Sequence, residues 1–364
     1  MIFSVVFFAV YFSIFAVLLL LLFRENWQKR VHFPTEKVKV SILIAARNEA
    51  HNIERCLNSI LKLDYPQECL EVLIGDDAST DNTFEVISRF ISDRPSFKLI
   101  SIKDRLGCAK GKGNVLAHLA HQATFDYFFI TDADMELPAD WIEAMLARAS
   151  PGIGIVTGIT TVEGHHFFAR MQGIDWLNAL GMIQVVSDLN LPVTTMGNNM
   201  LVTREAYEST GGYEKIPFSI TEDVQLFQEV LKNGYGFKNV YSHQVLAVTM
   251  PAQRLPDLMH QRKRWMKGSM HLPLYMKIVL IVYASFYAVM IPFFFRVPFF
   301  YAFSVLFLKW LFQSIFIQVC LKRVKRSASL TELVLFEVYQ FFTSVLLIIF
   351  FFLPVKVIWK GRKY

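Results

Sequence analysis

The chain has 364 residues, of which 54% are hydrophobic and 19% charged, and its formal net charge is +6. This composition is too apolar for an ordinary soluble domain and too charged for a protein made only of membrane spans. Many of the cations flank apolar segments, which favours an anionic lipid surface as partner, and no aromatic-basic motif favours nucleic acid. The four scattered cysteines form no C-x-x-C pair, which argues against a zinc site or a disulfide framework.

The first apolar segment, residues 2–23, carries no formal charge and is long enough to cross a bilayer as a helix. Basic residues (Arg24, Lys29 and Arg30) follow it, and no small-residue cleavage site does, so residues 1–24 are predicted to be a transmembrane helix and not a signal peptide. This charge order predicts an outside N-terminus and a cytoplasmic domain, at the plasma or inner membrane.

A second apolar region is predicted at residues 276–354, with candidate spans at 277–295, 298–321 and 331–352. Three crossings would leave the basic tail, residues 355–364, outside, against the positive-inside tendency. The number of spans, two or three, is therefore open at this stage. Arg296 and Lys309 mark possible irregularities in these spans.

Residues 36–253 alternate apolar runs with polar segments, as one globular domain does, and a juxtamembrane segment is expected at 254–275. Four predicted strands, ending near "LIAARNE", "LIGDD", "KLISIK" and "FFITDAD", are each followed by a helical pattern. This alternation predicts an α/β fold with a mostly parallel, doubly wound sheet. In such sheets ligands bind at the carboxyl ends of the strands.

Acidic pairs follow two of these strands. Asp132 and Asp134 end the apolar run "FFITDAD", and carboxylates with this spacing can share one hard divalent cation with a substrate phosphate. Asp76 and Asp77 follow the second strand, where a carboxylate can accept from a nucleobase N–H or a ribose hydroxyl. The competing interpretation, helix caps and turns, is disfavoured for Asp132 and Asp134 by the apolar strand before them and the order of the elements, and for Asp76 and Asp77 it explains one acid better than both.

A third acidic pair, Glu222 and Asp223, begins an amphipathic helix, where the helix dipole alone favours acids. The alternative is a general base that takes the proton of an attacking hydroxyl.

Lys112 lies in "AKGKGN", which fails the P-loop pattern; it either meets an anion near a helix N-terminus or is a solvated lysine.

Three other patterns carry less weight. "GIGIVTG" imitates a dinucleotide fingerprint, but a β-branched stretch follows where a helix should begin. The pairs His118/His121 and His165/His166 are not expected to bind metal. "HQRKRWMKG" is either a juxtamembrane basic segment or a site in which Arg264 meets a diphosphate and Trp265 a sugar face.

Seven short motifs, taken in order, resemble those of the membrane-bound family 2 glycosyltransferases with their GT-A domain, over about residues 38–268. The motifs are "SILIAARNE", "DDASTD", "GKGN", "TDAD", "GNNM", "TED" and "QRKRW". The resemblance implies an inverting transfer from a nucleotide-sugar, most of all a UDP-sugar, to a lipid or polyprenyl-linked acceptor, with Mg²⁺ or Mn²⁺. It implies these roles: donor binding by Ala45 (where proline is more usual), Glu49, Asp76, Asp77, Lys112, Asp132 and Arg264; metal binding by Asp132 and Asp134; catalysis by Asp223 with Glu222; acceptor binding by Gly197, Asn198, Gln261 and Trp265.

Two alternatives stay open. A processive polysaccharide synthase needs a channel through the bilayer, and three C-terminal spans are few for one. A non-catalytic membrane protein with a degenerate nucleotide-binding domain is disfavoured by the intact "TDAD", "TED" and "QRKRW".

Overall fold

A computed structural model describes residues 2–23, 37–356, 358–359 and 362–363. The chain forms two compact units. The described residues of the helical unit are 2–23, 165–193 and 252–356. Those of the sheet unit are 37–164 and 194–251, with 358–359 and 362–363. Arg24, Lys29 and Arg30, the cations predicted to orient the first span, lie outside the described residues, as does part of the predicted basic tail.

The strands lie in the sheet unit. In chain order they are β1 Val40–Ala46, β2 Leu70–Asp76, β3 Phe97–Ser101, β4 Tyr127–Asp132, β5 Ile153–Thr157, β6 Ile159–Val162, β7 Asn199–Thr203, β8 Gly236–Asn239, β9 Leu246–Thr249, β10 Ile358–Trp359 and β11 Arg362–Lys363. Seven of them form one sheet in the order β3-β2-β1-β4-β7-β5-β8. Strand β7 runs antiparallel to both of its neighbours, and the other pairs in this sheet are parallel.

The helices occur in both units. They are α1 Ile2–Phe23, α2 Ile53–Leu61, α3 Thr83–Ile91, α4 Lys112–Gln122, α5 Trp141–Leu146, α6 Phe167–Ser187, α7 Arg204–Ser209, α8 Glu222–Lys232, α9 Leu255–Ser269, α10 Leu274–Ala284, α11 Phe286–Phe294, α12 Phe299–Arg323 and α13 Leu330–Phe352. Helices α2 to α5 alternate with β1 to β4, as the sequence predicts.

The central strands are buried along their whole length and mostly apolar, because both faces of a parallel sheet are covered. Every residue of β1 and of β2 is buried. Helix α4 packs against both strands, and it lies so close to β2 that a Cβ atom at Gly75 would lie 2.3 Å from Val115 Cγ1. The predicted fold class, a mostly parallel α/β sheet with apolar helices at its flanks in the sequence, is confirmed.

Within the part of the chain that the structure describes, four helical segments are long and apolar enough to cross a membrane: 2–23, 274–294, 299–323 and 330–352. They correspond to the four predicted spans, although the second is interrupted at Ser285 between α10 and α11. Helix α6 was not anticipated by the sequence analysis. It belongs to the helical unit and packs against α12 and α13.

Lys309, in the middle of α12, is 2% exposed and forms an ion pair with Glu337 of α13. Its Nζ also contacts the hydroxyl of Tyr287 at 3.1 Å and Oε1 of Gln340 at 3.3 Å. Gln313 of α12 donates to the same Gln340 oxygen at 2.9 Å. A charge inside an apolar bundle is costly unless it is paired, and this network supplies the partners.

We expect Lys309→Met to lower the free energy of unfolding in detergent by about 3 kcal/mol, because Glu337 then keeps a charge with no buried counter-ion. The double variant with Glu337→Gln should lose clearly less than the sum of the two single losses. A double-mutant cycle on thermal or denaturant unfolding measures this coupling. Additive losses would contradict the pairing.

Candidate active site

The ends of β1, β2 and β4 lie side by side at one edge of the sheet. Ala46, the last residue of β1, is in register with Asp76, the last residue of β2. On the other side of β1, Ala45 is in register with Asp132, the last residue of β4. The convergence of the acidic strand ends, expected from the sequence, is therefore a property of the strand register.

A cleft lies at this edge, and its walls come from three strand ends and helix α4. It is lined by Ala45, Ala46, Arg47, Asp77, Lys112, Val115 and Asp132. Four of the residues predicted to bind a donor are in this set. Lys112 is the first residue of α4, so its ammonium group and the N-terminus of that helix face the same region as the acids.

The loops after β1 and β2 hold each other by polar contacts. Arg47 Nη1 donates to the backbone carbonyls of Asp77 and of Ala78, the latter at 3.1 Å. Asn48 Oδ1 accepts from the backbone N–H of Thr80 at 2.8 Å. Both Asn48 (φ 52°) and Ala78 (φ 50°) adopt the left-handed conformation, which costs free energy for a non-glycine residue and is common at functional loops.

Asp76 and Glu49 are both 5% exposed. Asp76 Oδ2 accepts from the backbone N–H of Ser79 at 3.2 Å, whereas its Oδ1 is buried without a hydrogen-bond partner among the described residues. Glu49 Oε2 accepts from Asn52 Nδ2 at 2.8 Å. A buried acceptor without a donor is costly, and the hydroxyl or N–H of a ligand would satisfy it.

Lys112 connects the acids of the site. Its Nζ lies 2.5 Å from Asp132 Oδ1 and 3.5 Å from Glu222 Oε1, and it donates to the backbone carbonyl of Gly197 at 2.8 Å. The side chain is only 9% exposed. Burial by itself lowers the pKa of Lys112, but the carboxylates of Asp132, Glu222 and Asp223 outweigh it and raise the pKa above its usual value. The ammonium group is charged at any physiological pH.

Asp223 is held by two backbone donors. Its Oδ2 accepts from the N–H of Gly197 at 2.7 Å, and its Oδ1 accepts from the N–H of Val224 at 2.9 Å. Asn198, the next residue after Gly197, accepts at its backbone carbonyl from Thr131 and at its Oδ1 from Thr160, both at 3.1 Å. The "GNN" segment and the acidic start of α8 therefore lie together.

A sequence model of the glycosyl transferase family 21 matches residues 5–364. The chain belongs to glycosyl transferase family 21. It is therefore a glycosyltransferase, as the resemblance implied.

A solved structure confirms the expected GT-A fold, and several curated proteins are similar in sequence. A mannosyltransferase from Pyrobaculum calidifontis, solved in complex with GDP-mannose and Mn²⁺, has a similar fold (TM-score 0.58, 22% identity, covering 95% of this chain and 96% of that one). Poly-β-1,6-N-acetyl-D-glucosamine synthases from Staphylococcus epidermidis and Staphylococcus aureus strain COL are each 27% identical over 232 residues, 63% of this chain and 54% of theirs. The match thus spans about half the length of these curated relatives.

The carboxylates of Asp132, at the end of β4, and of Asp134, two residues later, suit a divalent cation that is shared with a substrate. Asp134 Oδ2 accepts from Thr249 Oγ1 at 3.2 Å, and its backbone carbonyl accepts from Arg55 Nη2 at 2.5 Å. Among the described residues no group of three or more His, Cys, Asp or Glu side chains comes together as a complete cage. Two hard oxygen ligands fit Mg²⁺ or Mn²⁺ if diphosphate oxygens supply further ligands.

The "QRKRW" residues lie on α9, in the helical unit of this family 21 chain. Arg262 forms an ion pair with Asp175 at 2.6 Å and lies over the ring of Trp265, 4.5 Å from its centroid. The ring of Trp265 meets Trp176 edge to face, with centroids 4.6 Å apart. Gln261 Oε1 is buried without a hydrogen-bond partner among the described residues. The predicted roles of Gln261, Arg264 and Trp265 stay predictions.

The sequence analysis assigned no role in the site to Arg47, Thr249 or Tyr213. Arg47 stood next to a predicted strand end, and this position was a usable signal. Thr249 comes from β9, far along the chain from Asp134, and no local pattern marks it. Tyr213 is 4% exposed, and its hydroxyl is buried without a partner among the described residues.

We expect Gly197→Ala to damage the site, because its Cβ would lie 2.7 Å from Asp223 Cβ and 3.0 Å from Asp223 Oδ2. The helix start or the "GNN" segment must then shift, at a cost of about 1–3 kcal/mol in the free energy of unfolding. Sugar transfer should fall as well, since the shift moves the backbone N–H of residue 197 away from Asp223. Thermal unfolding and turnover measure the two effects.

Gly113→Ala is the matched control on the same side of the site. Its Cβ would meet Tyr213 Cδ1 at 3.6 Å and Glu222 Cβ at 3.7 Å, which are ordinary contacts, inside a helix that favours alanine. Equal damage from both substitutions would show that the Asp223–Gly197 contact is not the cause.

Proposed function

We propose that this chain transfers a sugar from a nucleoside diphosphate donor, most of all a UDP-sugar, to a lipid or polyprenyl-linked acceptor at the cytoplasmic face of the plasma or inner membrane, with inversion at the anomeric carbon. The observation that carries this proposal is the cluster of Lys112, Asp132, Glu222 and Asp223 around one sheet edge. The four apolar helices support a membrane-borne acceptor.

The nucleoside of the donor is assigned to the β1–β2 side of the cleft. Asp77 lines that side, and the buried, unsatisfied Oδ1 of Asp76 is suited to accept a hydrogen bond from a ribose or base. Arg47 fixes the backbone of Asp77, so it acts on the pocket through that loop. Glu49 is assigned to the same part of the site.

The diphosphate is assigned to the β4–α4 side, where Lys112 at the N-terminus of α4 supplies positive charge for phosphate oxygens. Asp132 and Asp134 would hold Mg²⁺ or Mn²⁺, which when bound neutralises charge on the leaving nucleoside diphosphate. We assign Arg264 a supporting contact with this group.

Asp223 is proposed as the general base. Its carboxylate is oriented by the N–H groups of Gly197 and Val224, and a carboxylate at hydrogen-bond distance from an acceptor hydroxyl can take its proton as the new bond forms. The neighbouring Glu222 forms an ion pair with Lys112. Gly197, Asn198, Gln261 and Trp265 are assigned to the acceptor.

A processive polysaccharide synthase is the second candidate, because the curated relatives are polymer synthases by name. Single transfer is preferred, since the three C-terminal apolar segments found among the described residues are few for a polymer channel. Product length distinguishes the two: a ladder of products from one acceptor favours the synthase, and one added sugar favours single transfer.

The detergent-purified full chain with native membrane lipids should release one nucleoside diphosphate from one donor in a panel of UDP-sugars and GDP-mannose. Release should need Mg²⁺ or Mn²⁺, stop with EDTA and fall at least about tenfold in Asp134→Ala. Asp93→Ala, an exposed acid that pairs with Arg94, is the control. Release that ignores EDTA and Asp134→Ala would place the chemistry elsewhere.

We expect Asp223→Asn to lower the turnover number of sugar transfer by about a hundredfold or more, because an amide cannot accept the proton. Binding of UDP should change little, since the nucleotide is assigned to other residues. Glu229→Gln on the same helix, where Glu229 pairs with Lys232 at 2.8 Å, is the matched control. An unchanged turnover number in Asp223→Asn would refute the base assignment.

A further inference from the structure

The ammonium group of Lys112 lies directly on a carboxylate that we assign to the divalent cation. Its Nζ is 2.5 Å from Asp132 Oδ1, so the two groups form a direct, charge-assisted ion pair. The side chain is 9% exposed, so water screens this contact poorly. Lys112 and a cation on Asp132 would therefore repel each other with little screening by water.

Two positive centres cannot share one carboxylate oxygen at no cost. A divalent ion on Asp132 would lie within a few ångströms of the ammonium group, where like charges repel strongly even at an effective dielectric constant of about 20. Either the cation binds weakly or the ammonium group gives up Asp132. A nucleoside diphosphate changes this balance, because its negative oxygens can accept both the cation and Lys112.

The other partners of Lys112 make such an exchange a short movement. Glu222 Oε1 at 3.5 Å and the carbonyl of Gly197 at 2.8 Å keep the ammonium group in the cleft when Asp132 is given up. Gly197 also donates its N–H to Asp223. The position of Lys112 is thus linked to the backbone that orients the proposed base.

We propose that Lys112 competes with the divalent cation for Asp132, so that the protein binds the cation together with the nucleoside diphosphate and only weakly by itself. This inference rests on the proposed function, which assigns the cation to Asp132 and Asp134. It gives Lys112 a second role besides binding phosphate: the residue makes cation binding conditional on the donor.

The test is a Mn²⁺ titration of the full chain in detergent, followed by electron paramagnetic resonance of the free ion, without and with saturating UDP. Without UDP, Lys112→Met should bind Mn²⁺ at least about tenfold more tightly than the parent, because one nearby positive charge is gone. With UDP the difference should shrink, since the parent's Lys112 then has phosphate oxygens to meet.

Two controls separate charge from perturbation. Lys110→Met removes an exposed lysine two positions away, whose Nζ lies 5.3 Å from the ring centroid of Phe218, and should bind Mn²⁺ like the parent. Lys112→Arg keeps the charge and should also stay within a few-fold of the parent. Mn²⁺ binding to Lys112→Met that is no tighter than to the parent, without UDP, overturns the inference.

The parent protein provides a second test if Lys112→Met does not fold. Its affinity for Mn²⁺ should rise at least about tenfold when UDP is added, and an equal affinity with and without UDP also overturns the inference. Donor turnover on the same preparations is read separately. If turnover depends on the metal but Lys112→Met does not change the affinity for Mn²⁺, the competition is refuted and the proposed function stands.

Discussion

One buried ammonium group organises the acidic edge of the sheet. Lys112 Nζ contacts Asp132 from β4, Glu222 from α8 and the backbone of Gly197, which in turn binds Asp223. Without this positive charge, carboxylates from two distant parts of the sequence would repel each other in a poorly solvated cleft. The strand register brings the acids together, and the positive charge of Lys112 offsets the repulsion between them.

The sequence was sufficient for the parts of the fold that depend on local pattern. The apolar runs of β1, β2 and β4, the helices between them and the four long apolar helices all lie where periodicity and length predict. The strand-end acids could be placed at one edge because parallel strands share their carboxyl ends. The antiparallel β7 and helix α6 could not be anticipated, since both depend on tertiary contacts with residues far away in the chain.

Local sequence patterns do not show which side chains from distant parts of the chain contact each other. Lys112 looked like either a phosphate ligand or a solvated lysine, and only the structure shows its contacts with Asp132 and Glu222. Lys309 looked like an irregularity in a membrane span until Glu337 appeared as its counter-ion. In both places a buried lysine is retained because acids from another element compensate its desolvation.

The central claim is that the ends of β1, β2 and β4 bind a metal–nucleoside diphosphate. The most direct test is an experimental structure of the full chain with UDP and Mn²⁺, with the ion located by its anomalous scattering. We expect Mn²⁺ coordinated by the carboxylate of Asp132, of Asp134 or of both, with the base or ribose of UDP beside Asp76 and Asp77. A metal–nucleotide complex bound away from this edge would contradict it.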